Sequence, residues 1–162
     1  MQKSIGSTSI ILFVFISILF YSCGANVVHT NTASVPNNWM ISDTIHFSFD
    51  HIDTLNSHDL TFLVRNNTDF EYQNAFFFVK LSYPDGSFLR DTVECQLADY
   101  RGEWLGKGSG KIKEVQQQFG SNFKLDKGGI YQLEVTHAMR TTTDEGLKGI
   151  EDIGFQIIRK TN

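Results

Sequence analysis

Two cysteines and two prolines among 162 residues, and no block of lysine or arginine, set the first limits on this chain. With cysteine so scarce, a disulfide framework cannot hold the fold together, and the domain must rely on its core. Lys and Arg number 14 against 18 Asp and Glu, a net charge of −4, so the basic surface that nucleic acid or anionic headgroups require is missing. Only one long apolar run is present, Ile10 to Tyr21, and it falls short of the roughly 20 residues a membrane-spanning helix needs. No Gly-x-Ser-x-Gly elbow of a hydrolase occurs. Gly106-Lys107-Gly108-Ser109-Gly110 lacks the four-residue spacer, and the Ser or Thr after Lys, of a phosphate loop. Asp50, His51, Asp53, His58 and Asp59 crowd one connection without the spacing of a zinc or calcium site, so that segment reads as a solvated loop. The expectation is a protein with no catalytic residues, no metal and no cofactor.

The apolar run has a purpose of another kind. Lys3 supplies a short positive region, Ile10 to Tyr21 the apolar region, and small Ser22 precedes Cys23 where a secretory signal would be cut. Residues 1–22 therefore read as a lipoprotein signal peptide, and the Cys23 thiol as the nucleophile that takes a diacylglycerol thioether. An added N-terminal acyl chain of palmitate type would make the attachment stable, since one chain alone holds weakly. An ordinary signal cut nearby and a membrane anchor are the alternatives. Cleavage leaves 140 of the 162 residues and, by removing Lys3, a net charge of −5. Residues 23–38, with Asn26, Thr30, Asn31, Thr32, Ser34, Asn37 and Asn38, carry little apolar surface and read as a flexible tether.

From residue 39 onward the chain is rich in what packs on a pleated surface. The whole sequence holds 14 Phe, 5 Tyr and 2 Trp. Ile45, Phe47 and Phe49 alternate with His46 and Ser48, and Leu60, Phe62 and Val64 lie on one face with Thr61, Leu63 and Arg65 on the other. Ala75 to Tyr83 is apolar on both faces, which predicts a central strand covered on both sides. Tyr83-Pro84-Asp85-Gly86 predicts a turn into a return strand whose Val93, Cys95 and Leu97 face the core, Cys95 as a small buried hydrophobe. Lys111 to Phe119 is extended or helical, Tyr131 to His137 alternates clearly, and Ile153, Phe155 and Ile157 close the domain. Thr141 to Gly146 is a polar loop. The fold class expected for 39–162 is all-β, an antiparallel sandwich of about eight strands, either a jelly roll or an immunoglobulin-like Greek key.

Two stretches carry a resemblance. The first runs from Asp91-Thr92-Val93-Glu94-Cys95-Gln96-Leu97-Ala98-Asp99 through Gly102-Glu103-Trp104-Leu105-Gly106-Lys107-Gly108 to Ile112-Lys113-Glu114. The second is Tyr131 to Met139-Arg140, then Leu147-Lys148-Gly149-Ile150-Glu151-Asp152-Ile153-Gly154. With the signal, tether and length, the chain resembles the GldH-type gliding-motility lipoproteins of Bacteroidetes. That resemblance implies a non-enzymatic envelope lipoprotein whose partners are other motility or type IX secretion proteins, with no nucleic acid. Surface-exported lipoproteins of these bacteria resemble one another in an acidic cluster after the lipidated cysteine, which this chain lacks. The expected position is thus on the periplasmic side, anchored in the outer membrane. A carbohydrate-binding lipoprotein is the rival.

Within the matched strings, Trp104 on its glycine-rich loop reads either as a partner-binding aromatic or as a plug at the end of the sandwich. Arg140 at a strand end, opposite a loop with Glu151 and Asp152, reads as an ion pair or as a surface for another envelope protein. Thr44, Thr54 and Thr92 lie in Asp-Thr-apolar triplets similar to the O-glycosylation acceptor of Bacteroidetes.

Overall fold

The structure, a computed structural model, describes residues 26–140 and 146–160. Eight strands make up the described chain: β1 Val27–Ser34, β2 Ile45–His51, β3 Ser57–Asn66, β4 Asn74–Ser82, β5 Phe88–Gln96, β6 Lys113–Lys124, β7 Gly129–His137 and β8 Ile150–Arg159. They form two antiparallel four-stranded sheets, ordered β1-β8-β3-β6 and β2-β7-β4-β5. The pairing is that of one long hairpin wrapped on itself, with β4–β5 at the tip, then β3–β6, β2–β7 and β1–β8. This is the strand order of a jelly roll. Among paired strands only β4 and β5 are consecutive in sequence, whereas an immunoglobulin fold pairs several sequential hairpins.

Alternation explains why these segments are strands. Phe47 and Phe49 of β2 point inward and meet Phe155 of β8 at ring-centroid distances of 5.4 and 5.3 Å, and Phe62 of β3 meets Phe77 of β4 at 5.1 Å. These contacts cross between the two sheets and fill the core. Trp39 is fully buried ahead of β2; it packs on Phe77 and donates its indole N–H to the Asp43 carbonyl at 2.8 Å. The Tyr83–Ser87 turn closes with Gly86 at φ +84°. Cys95 is fully buried, as its place beside Val93 and Leu97 predicted.

Several expectations change. Residues 27–34 fall inside the expected tether, yet they form β1, paired with β8 from Val27↔Ile158 to Ser34↔Asp152. The ordering comes from backbone pairing with a strand far along the chain, not from the segment's own apolar content. β6 is longer than Lys111–Phe119 and is extended throughout, reaching Lys124. His51 and His58, placed by sequence in a solvated loop, are fully buried at the ends of β2 and β3. Glu151 and Asp152 lie in β8, not in a loop. β4 is central in its sheet, but only its inner face is covered: Ala75, Phe77, Val79 and Leu81 are buried while Phe78 is 53% exposed. The signal peptide, Cys23 and Thr141 to Glu145 lie outside the described residues.

Candidate interaction surface

Among the described residues nothing covers the outer face of the β2-β7-β4-β5 sheet, and cross-strand register fixes what it presents. Phe78 on β4 stands opposite Thr136 on β7 and Thr92 on β5; one step along, Lys80 stands between Glu134 and Arg90. These side chains, with Thr44 just before β2, line an open groove of about 560 Å³. Phe78, three threonines and the Asp91 carboxylate are among the residues that line it.

The charges are arranged unevenly. Lys80 Nζ is held by both Glu134 carboxylate oxygens at 3.0 and 3.2 Å. Arg90 makes no ion pair among the described residues; its guanidinium stacks over Phe88, 4.9 Å from the ring centroid, and Lys80 reaches the same ring at 5.8 Å. Phe88 is itself 55% exposed. The groove therefore offers an apolar ring, hydroxyls and a guanidinium held by a ring rather than an ion pair, with the Asp91 carboxylate beside it, a set suited to recognition: aromatic and Arg anchors dominate binding energy. The Cys95 thiol, on the buried side of β5, is pushed up to about 12 by burial and takes no part.

The residues singled out from sequence scatter. Thr44 and Thr92 share this groove, while Thr54 lies in the β2–β3 connection. Trp104 is half-buried against the core and bridges to Ala98, so it folds back onto the domain. Its loop is tied down: the Asp99 carboxylate accepts from the amides of Arg101 and Glu103 at 2.8 and 2.9 Å, and Lys107 and Glu114 exchange backbone hydrogen bonds. A Cβ at Gly108 would lie 2.4 Å from the Ile112 carbonyl oxygen, so that glycine serves backbone approach. Arg140 is exposed beyond β7, and the ion pair expected with Glu151 or Asp152 is not made among the described residues. Those carboxylates have other partners: Glu151 accepts from the Asn67 amide, and Asp152 from Ser34 Oγ at 2.6 Å, with Arg65 Nη1 at 3.6 Å. Strand β3, which carries Arg65, lies beside β8, and Arg65 makes the contact to Asp152 that was expected of Arg140.

Sequence reading missed Phe78, Lys80, Arg90 and Glu134. Phe76-Phe77-Phe78 reads as burial on both faces, and the one signal against it is Lys80, two residues on and therefore on the same face as Phe78.

The profile of the GldH lipoprotein family matches residues 26–157. A protein of Christiangramia forsetii named gliding motility lipoprotein GldH homolog is 35% identical over 158 residues, covering 95% of this chain and 97% of that one. The gliding motility lipoprotein GldH of Flavobacterium johnsoniae is 28% identical over 153 residues, 92% of this chain and 95% of its own. Among solved structures, the VP2 subviral particle of infectious bursal disease virus has a TM-score of 0.39 at 15% identity, over 81% of this chain and 32% of that one, a likeness too distant to inform function.

Proposed function

The chain belongs to the GldH lipoprotein family, and from that premise we propose that it is a lipid-anchored, non-enzymatic accessory of the cell-envelope apparatus for gliding motility and its associated type IX secretion. The names of its relatives support the motility role, and the open groove around Phe78 supports docking as its mode of action. Lipid on Cys23 confines the domain to a membrane, facing the periplasm from the outer membrane, and confinement raises its effective concentration towards partners on the same surface. Another envelope protein then seats on the outer face of the β2-β7-β4-β5 sheet, with Phe78 as anchor and Arg90 available to a carboxylate.

The observation that carries this reading is Phe78, a half-exposed phenylalanine at the centre of a sheet face where a solvated strand would place a polar residue. The test is affinity purification of the lipidated protein from its own membranes, compared with Cys23→Ala and Phe78→Arg versions. Both substitutions should reduce partner recovery, Phe78→Arg by tenfold or more, about the cost of losing a hot-spot side chain. Equal recovery in all three would refute tethering and docking alike. A deletion strain with normal surface spreading would refute the motility role.

The threonine hydroxyls of Thr44, Thr92 and Thr136 around the Phe78 ring favour a second reading, a saccharide stacked on that ring. Retention on cell-envelope polysaccharide, abolished by Phe78→Ala, would select it over a protein partner.

A further inference from the structure

Three histidines from three strands meet at one end of the sandwich. His51 on β2 is fully buried, and its Nε2 lies 2.7 Å from the Asp53 carbonyl oxygen, which can only accept, so Nε2 carries the proton. Its Nδ1 is then the acceptor facing Nε2 of His29 on β1, 3.4 Å away, and His29 donates. His58 on β3 lies edge-on to His51 with centroids 4.9 Å apart, fully buried, and neither of its ring nitrogens has a hydrogen-bond partner. Around them Phe49 lies against His29 at 5.0 Å and Tyr131 against His51 at 6.0 Å.

The His29–His51 contact accommodates one proton at most, because His29 can carry its own hydrogen on Nδ1 and accept at Nε2; with both rings charged, two N–H donors face each other across the contact between β1 and β2. A proton on His58 places a cation in a site without hydrogen-bonding partners. The other charged groups facing the cluster do not rescue it. The Asp53 carboxylate lies 3.8 Å from His58 Nε2 but already accepts from Arg159 Nε on β8 at 2.6 Å and from Asn56 Nδ2 at 2.9 Å. Arg159 itself opposes a second cation, while Asp53 favours charge on His58 and Asp50 favours it on His29, each less than burial disfavours it. Burial holds His29 and His58 below the ordinary histidine range, with the neighbouring His51 as the next cause for each.

Of the strands that meet here, β1 is the one held least. It is an edge strand with one ladder, to β8, and has only half-buried or exposed positions, whereas β2 is anchored by Phe47 and Phe49 and β3 lies inside its sheet. We propose that His29, His51 and His58 form a proton-released latch: at neutral pH they hold β1 onto the domain, and on acidification β1 detaches while the rest of the sandwich stays folded. Where Cys23 carries lipid, as proposed above, detachment of residues 27–34 lengthens the tether by up to about 26 Å, at roughly 3.3 Å per residue.

The test is amide hydrogen exchange on the full-length protein in detergent micelles, read as protection factors at pH 7.5 and 5.0. The β1 amides should lose protection at least about tenfold at pH 5.0, the effect of a one-unit pKa difference, while the β7 amides keep theirs. In His58→Phe, which keeps a ring without a proton site, the loss should shrink to less than threefold. His29→Gln, at a half-buried position easier to substitute, gives the same readout if the first variant folds poorly. Unchanged β1 protection at pH 5.0, parallel loss in β1 and β7, or persistence of the loss in both variants would overturn the latch. So would a fall in β1 protection on adding a chelator at pH 7.5, which would assign the cluster to a metal ion.

Discussion

Cys95 sits fully buried between Val93 and Leu97, and burial raises its thiol to about 12. Only the thiolate reacts. At pH 8 the folded protein should therefore resist iodoacetamide over hours, then alkylate promptly in denaturant; rapid labelling of the native protein, followed by mass spectrometry, would contradict the placement. Gly149 presents the opposite case, a residue defined by what it lacks. Its φ is +83°, and a Cβ there would lie 2.2 Å from the Phe70 backbone nitrogen, where Asn67 also donates its amide to the Gly149 carbonyl. Gly149→Ala adds backbone strain to that collision and should cost at least about 2 kcal/mol of stability, measured by urea unfolding. An unchanged urea midpoint would show that the Phe70 turn yields freely. Both residues lie within the range matched by the family profile, and both are explained by packing.

At the level of strands, Arg65 is the link that can be tested directly. From β3 it reaches Glu114 on β6 at 2.8 Å and Asp152 on β8 at 3.6 Å, joining three neighbouring strands across the outer face of their sheet. The guanidinium is nearly half exposed, so solvent screens it, and Arg65→Ala should cost less than about 1 kcal/mol, a difference that shrinks further in 1 M salt. A salt-independent loss would mean that the side chain acts by packing. The strands β2 to β5, β7 and β8 were legible from sequence because each buries one face, and burial leaves a period of two in the residues themselves. β1 left no such trace: His29, Asn31 and Ala33 are ordered by β8, more than a hundred residues on, and local pattern cannot report a distant backbone partner. The candidate groove was hidden for a related reason. Whether Phe78 is covered depends on whether anything packs outside β4, and nothing in the Phe76-Phe77-Phe78 run states that. His51 and His58 were misplaced because polar neighbours such as Asp50, Asp53 and Asp59 outweighed them, although strand alternation continues through both.

For the molecule as a whole, pH acts through two groups of side chains. His29, His58 and His137 are all held below their ordinary value, burial being the first cause in each. Below about pH 6.5 the unfolded chain binds protons that the folded one refuses, so stability is full above that pH and declines as pH falls through it. Asp53, Asp99 and Glu114 are depressed chiefly by hydrogen bonds, and Asp85 by its contact with Lys127; their stabilisation is present above the ordinary carboxylate range and lost on further acidification. The urea midpoint should thus fall in two stages, one near pH 6 and one below pH 4; a flat profile between pH 7.5 and 5 would show that the histidines titrate normally. The pairing of β1 with β8 also constrains how the protein is made. A chain delivered N-terminus first presents Val27 more than a hundred residues before its partner Ile158, so β1 waits, unpaired, for β8. The β4–β5 hairpin needs no such wait and can form early, whereas closure of the sheet must follow the arrival of β8. Folding of this domain is thereby timed by the arrival of β8, and a product cut short before it would leave β1 with nothing to pair with.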